Sequence, residues 1–187
     1  ESKILEKLGL EKGKYIVLSS HREENMDIDK NFNSLMNALN AVANKSQLPV
    51  LWGTHPRARK KLEQKGFELS PYIKTMPAFG FLDYVKLQEN AFICLSDSGT
   101  LTEESAMRHF PAVLIRTSTE RPEGVEANSI VVSGITESEI LAAIDKELAQ
   151  YKNASCPEHY DVDDVSDRVV KIIKEYIPIV NKEIWAK

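Results

Sequence analysis

The chain has little excess charge of either sign. Lys and Arg total 24 against 28 Asp and Glu, a net charge of −4. Nucleic-acid binders carry a strong basic field, so nucleic acid is not expected as a main partner. Cysteine is nearly absent, with only Cys94 and Cys156, far apart in sequence. That argues against a disulfide framework and suits the reducing cytoplasm. Cys94, inside an apolar run, reads as a small buried hydrophobe. No apolar run approaches the roughly 20 residues of a membrane span, and no signal peptide is visible. A membrane partner is therefore not expected. Neither Gly-x-x-x-x-Gly-Lys-Ser/Thr nor Gly-x-Gly-x-x-Gly occurs, which leaves kinase and dinucleotide readings without support. Without His-x-x-x-His or Cys-x-x-Cys, no metal and no cofactor are expected. Ser98 lacks the Gly-x-Ser-x-Gly setting of a hydrolase nucleophile.

What is present is an ordinary soluble composition, 42% hydrophobic and 28% charged over 187 residues, enough for one packed domain with an appended segment. Short apolar runs alternate with helical patterns. Strands are predicted at 15–19, 49–53, 73–76, 91–95, 112–115 and 129–132. Between them lie helices over 29–44, with Phe32, Leu35, Met36, Leu39 and Val42 at helical spacing, then 56–65, 82–89, 103–108 and 136–151. Thr136 and Glu139 form a capping box. A last amphipathic helix runs from 163 to 176, where Pro178 is expected to break it. The runs lack period-2 alternation, as strands buried on both faces do. The pattern is α/β: a Rossmann-like parallel sheet with helices on both faces. The chain opens on Glu1 rather than Met. Residues 1–12 read as a linker or helix tail, 13–160 as the Rossmann-like domain, and 161–187 as a C-terminal helix. The whole is expected to be a piece cut at a domain boundary, with part of any active site outside it.

In such open sheets ligands sit beyond the carboxyl ends of the strands. The segments there are Ser19-Ser20-His21-Arg22-Glu23-Glu24-Asn25, Gly53-Thr54-His55-Pro56-Arg57, Pro77-Ala78-Phe79-Gly80-Phe81, Asp97-Ser98-Gly99-Thr100-Leu101-Thr102-Glu103-Glu104, and Arg116 to Glu123. The fourth is the most informative. A strand ending in a Ser-Gly turn that opens a helix aims free N–H groups and a helix dipole at an anion. Glu103 and Glu104 one turn later accept hydrogen bonds from sugar hydroxyls. Together these features point to a nucleotide or nucleotide-sugar. The competing reading is a plain capped helix, with Asp97 or Ser98 as N-cap. His21 and Arg22 suit a diphosphate, or else a carbonyl-tied histidine and a solvated charge cluster. His55 either ends a strand or meets the ligand. Arg121 reaches a phosphate or pairs with Glu120 or Glu123. Phe79, Phe81 and Tyr84 form either a wall against a base or core packing.

Three of these segments, His21-Arg22-Glu23-Glu24-Asn25, Asp97 to Glu104, and Thr119-Glu120-Arg121-Pro122-Glu123-Gly124-Val125-Glu126-Ala127, come in an order and spacing that resembles the non-hydrolysing UDP-N-acetylglucosamine 2-epimerase family. The resemblance covers nearly the whole chain, but only the C-terminal half of a family member. It implies one half of a GT-B-type two-domain fold, carrying most of the UDP site and working as a homodimer. It places Ser98 and Gly99 at a phosphate, Glu104 on the ribose hydroxyls, and Tyr84 at the uracil contact. His21, the catalytic candidate, would lie beside the diphosphate together with Arg22, with Arg121 near the same end. The reaction it implies is inversion at C2 of a UDP-2-acetamido sugar by elimination and re-addition of UDP. The carboxylates that move the proton would belong to the other domain, so this chain alone is expected to be inactive. In the GT-B architecture the last helix crosses to that domain, so Val169, Ile172, Ile173 and Trp185 are expected to be partly exposed here. Four departures stand out: Thr100 replaces a usual Gly, Thr102 a usual Gln, Glu23 a usual Arg, and His55-Pro56-Arg57 lacks the His-x-Asn-Pro pattern. They resemble the branch that makes UDP-N-acetyl-L-fucosamine for capsule and O-antigen. UDP-N-acetylglucosamine 2-epimerase itself is the alternative, and a GT-B glycosyltransferase domain the more distant one.

Overall fold

The computed structural model describes residues 2–186. Six strands pair in parallel among them: β1 (Ile16–Ser19), β2 (Val50–Gly53), β3 (Ile73–Met76), β4 (Ile93–Ser96), β5 (Ala112–Leu114) and β6 (Val131–Val132). Their order in the sheet is β3-β2-β1-β4-β5-β6. Parallel neighbours need crossovers, and helices supply them. α1 (Ile4–Leu8) precedes β1, and α2 (Glu23–Met26) with α3 (Asp29–Ser46) leads to β2. α4 (Pro56–Lys65), α5 (Phe81–Asn90), α6 (Leu101–Arg108) and α7 (Pro122–Glu126) each fill one later crossover, and α8 (Glu137–Gln150) follows β6.

The sheet is buried on both faces because alternate residues of each strand find a helix layer on either side. Ile16, Leu18, Val50, Trp52, Ile93 and Leu95 pack with Phe32, Leu35 and Leu39 of α3 and Ile140 of α8. Tyr15, Val17, Leu51, Cys94 and Leu114 face the other way, onto Ile4 of α1, Leu87 of α5 and Leu101 of α6. The predicted α/β class and sheet are therefore observed, as is the Thr136–Glu139 capping box. α2 and α7 were not foreseen, because helices this short show no periodicity.

The order of strands reverses between β1 and β4, the position where doubly wound sheets bind ligands. Register makes this a tight junction. Ser19 pairs with Ser96, so the chains leaving β1 and β4 emerge side by side at one level.

The chain divides into two compact units, residues 1–157 and 158–187. In the second, α9 (Val165–Glu183) runs straight through Pro178, against the expected break. Proline's fixed φ is itself helical, and the bond it removes leaves the Lys174 carbonyl one turn back. Residues on that stretch are exposed, so that carbonyl is open to solvent. Val169, Ile172, Ile173 and Trp185 are all exposed. Among the described residues, no helix is long and apolar enough to cross a membrane.

Candidate functional site

Asp97 is the centre of the junction between β1 and β4. It is fully buried and caps nothing, since α6 begins after Thr100 with no side-chain cap. Its carboxylate instead accepts hydrogen bonds from the chain leaving β1. The Ser20 hydroxyl donates to Oδ2 at 2.7 Å, the His21 and Arg22 amides at 3.0 Å each, and Asn25 Nδ2 at 3.2 Å. A buried carboxylate is tolerated only when donors surround it, and here four do. The competing reading of Asp97 as a helix cap is not what is observed: Asp97 ties the loops that follow β1 and β4 into one piece.

That tie positions His21. Its Nδ1 faces Asp97 Oδ1 at 3.5 Å, which turns Nε2 outward. His55 stands beside it, ring centroids 5.9 Å apart. His55 also caps α4, its Nδ1 accepting the Arg57 amide at 3.3 Å, so its neutral form carries the proton on Nε2. Arg22 Nη1 bonds Glu24 at 3.2 Å. Arg57 pairs with Glu23 at 2.9 Å. His21, Arg22, Glu23, Glu24, His55 and Arg57 line one pocket.

The phosphate-type turn follows β4. Leu101 and Thr102 amides bond back to the Ser98 and Gly99 carbonyls, while the Gly99 and Thr100 amides take no acceptor among the described residues. Ser98 Oγ and Thr100 Oγ1 lie 3.0 Å apart. Arg121 closes the turn from the far side. It pairs with Glu103 and presses so close to Gly99 that a Cβ there would fall 2.6 Å from Arg121 Nη1. The absent side chain at Gly99 is what admits the guanidinium. Gly124 serves in the same way, since a Cβ on it would lie 2.2 Å from Thr102 Cγ2; it lets α7 sit on α6.

Arg116, just beyond β5, has a role that the sequence alone does not reveal. Its side chain is 5% exposed and holds Glu120 through two bonds of 2.7 and 2.9 Å. That pairing pulls the Glu120 carboxyl down to about 2. Arg116 thereby fixes the segment that delivers Arg121.

At the other end, Glu104 points toward α5, where Gln88 Nε2 donates to its Oε2 at 2.6 Å. Tyr84 packs against the second core cluster, and burial, with Cys94 and Glu104 nearby, raises its phenol above the ordinary value. No side chain caps the first turn of α5, so its amides are available to a ligand. Phe81 and Leu82 on that turn are 78% and 70% exposed. The structure thus brings His21, Arg22, His55, Ser98, Gly99, Arg121, Glu104 and Tyr84 to one edge of the sheet. Among the described residues no cluster of three or more His, Cys, Asp or Glu suits a metal.

Such an edge offers amides and guanidinium groups to phosphate and a carboxylate to hydroxyls, the donor and acceptor set of a nucleotide site. The chain is similar to known proteins in sequence and in fold. The family model described as UDP-N-acetylglucosamine 2-epimerase matches residues 1–174. A UDP-N-acetylglucosamine 2-epimerase of Methanococcus maripaludis is 32% identical over 148 residues, 77% of this chain and 40% of the relative. The solved UDP-N-acetylglucosamine 2-epimerase of Rickettsia bellii is 35% identical, with a TM-score of 0.82 over 100% of this chain and 51% of its own. S. aureus MnaA, solved with UDP, is 27% identical, with a TM-score of 0.73 over 95% of this chain and 49% of its own. The chain spans less than half the length of the curated relatives it matches. On sequence and fold together, the chain belongs to the UDP-N-acetylglucosamine 2-epimerase family.

Proposed function

We propose that this chain is the UDP-holding half of a nucleotide-sugar 2-epimerase. The observation that carries the reading is the paired edge: unbonded Gly99 and Thr100 amides beside Arg121, facing the Asp97-tied loop of His21 and Arg22. In an elimination the C2 proton and the C1–O bond to UDP are lost, giving a 2-acetamidoglycal. Re-addition protonates C2 on the opposite face and rebuilds the C1–O bond. UDP gains charge as it leaves, and preorganised donors that meet that charge lower the barrier. Ser98, Gly99, Arg22, Arg121 and His21 hold the diphosphate in this scheme, Glu104 takes the ribose hydroxyls, and the Tyr84 turn meets uracil. His55 orients beside His21. The base and acid for C2 come from outside residues 1–187, so these residues expressed alone are expected to give no inversion. The working enzyme is proposed to be a cytoplasmic homodimer.

The favoured product is UDP-N-acetyl-L-fucosamine, formed from a UDP-2-acetamido-2,6-dideoxy-L-talose precursor for capsule or O-antigen. Support comes from Thr100, Thr102, Glu23 and the His55-Pro56-Arg57 stretch. The second reading is conversion of UDP-N-acetylglucosamine to UDP-N-acetylmannosamine, favoured by the names of the relatives. Incubating the intact protein with each sugar nucleotide in D2O, and following C2 configuration and deuterium uptake by NMR, separates the two. Inversion of neither, or sugar transfer to an acceptor instead, would sink the epimerase reading.

A further inference from the structure

Gln88 is an odd residue for its position. It lies on α5, and its flanking neighbour Leu87 is a core residue; Gln88 itself is 1% exposed. A primary amide that deep needs a reason, because burying one without partners is costly. Its partner is Glu104 Oε2 at 2.6 Å, a short, charge-assisted bond. The amide N–H must be the donor, since a carboxylate only accepts.

Two consequences follow for Glu104. A glutamate side chain on a helix surface samples several rotamers, and ordering it has an entropic cost. Gln88 settles that cost before any ligand arrives. It also occupies one oxygen only. Oε1 takes no hydrogen bond from the described residues, so it is left as an open acceptor on a residue that lines the groove between α5 and α6 together with Phe81, Leu82, Val85, Gln88 and Met107.

We propose that Gln88 is a positioning residue that sets the affinity of this site for the vicinal hydroxyls of a ribose, by holding Glu104 with one oxygen fixed and the other presented. The proposal rests on Glu104 being the ribose acceptor of the proposed function. Gln88 touches no ligand itself. It makes selection between ribose and deoxyribose a property of the α5–α6 pair rather than of Glu104 alone.

The experiment is a calorimetric titration of the intact protein with UDP and with 2′,3′-dideoxy-UDP, in the wild type, Gln88→Met, Gln88→Asn and Glu104→Gln. Met keeps the length of Gln without its donor. Asn keeps the amide but is too short to reach Oε2. The wild type is expected to favour UDP about tenfold or more, as for loss of bonds to a charged acceptor. Both Gln88 variants should cut that preference by about threefold or more while affinity for the dideoxy compound stays within about twofold, which also reports intact folding. Glu104→Gln should cut the preference at least as far. A preference retained in both Gln88 variants, with Glu104→Gln losing it, overturns the positioning role and leaves the ribose assignment standing. A wild type that does not distinguish the two compounds overturns the ribose assignment, and the positioning role with it. A general loss of affinity with the preference unchanged means that Gln88 is only structural.

Discussion

The two ends of the site are built differently. At the end proposed for the diphosphate the side chains hold one another: Asp97 collects Ser20, His21, Arg22 and Asn25, Glu103 holds Arg121, and Arg116 holds Glu120. At the end proposed for the nucleoside, Gln88 holds Glu104 beside exposed Phe81 and Leu82. The first end is held by bonds among its own residues. The second has an acceptor in place and apolar surface still open to water. The proposed reaction, which must keep hold of a departing diphosphate, would gain most from stiffness where the charge appears.

The hardest test of that contrast is Asp97→Ala. It leaves four buried or half-buried donors without their acceptor, and should cost about 3–5 kcal/mol of stability in urea unfolding. Glu104→Ala at the other end orphans a single donor, the buried Gln88 amide, and should cost about 1–2 kcal/mol. Equal costs would erase the distinction between the ends.

Next in size is a carboxylate remote from both ends. Glu147 of α8 is fully buried, accepts the Ala112 amide at 3.2 Å and is also bonded by Gln150 Nε2 at 3.2 Å. Burial raises its carboxyl to about 7. A raised acid means that the native state binds the proton more tightly than the unfolded chain. Stability from this group is therefore full below the ordinary carboxyl range and is lost as pH rises toward 7. Glu147→Gln keeps both the size and an acceptor for Ala112. It should stabilise the protein at pH 8 by about 1–3 kcal/mol and change little at pH 4, read from melts across that range. A variant with the same pH slope as the wild type would remove Glu147 as its source.

Gly99→Ala probes the turn itself. Because the clash is with the end of a flexible arginine, folding should be nearly unchanged. UDP affinity, read by calorimetry, should fall about tenfold, as expected when one charged hydrogen bond is misplaced. Unchanged affinity would show that the position of Arg121 over Gly99 is irrelevant to binding. The smallest effect belongs to Arg108→Ala. This arginine clips α6 to Glu89 on α5 and is itself half exposed. Stability should shift by less than about 0.5 kcal/mol and UDP binding by less than about twofold.

The sheet was legible in the sequence because six short apolar runs separated by helical patterns leave little else to build. The segments at the strand ends could be named for the same reason. The work of Asp97 was not legible: beside Ser98 and Gly99 it looks like a cap, and only the Ser19–Ser96 register shows that it faces residues 20–25. Gln88 was hidden in the same way, since a polar residue within an amphipathic helix is ordinary until its burial and partner are seen. Arg116 stood in the right segment, but its role depends on Glu120 one turn on folding back to it. Pro178 misled because the rule against proline counts a lost hydrogen bond as decisive, and on an exposed helix the freed carbonyl is open to solvent.

The Asp97 tie also imposes an order of events during synthesis. The carboxylate that accepts the Ser20 hydroxyl lies 77 residues downstream of it, and at ribosomal rates of about 5–20 residues per second the interval is about 4–15 s. Throughout it the loop bearing His21 has emerged without its acceptor, and β1 gains β2 to pair with well before β4. The ligand-facing edge therefore closes late, after most of this sheet has left the ribosome.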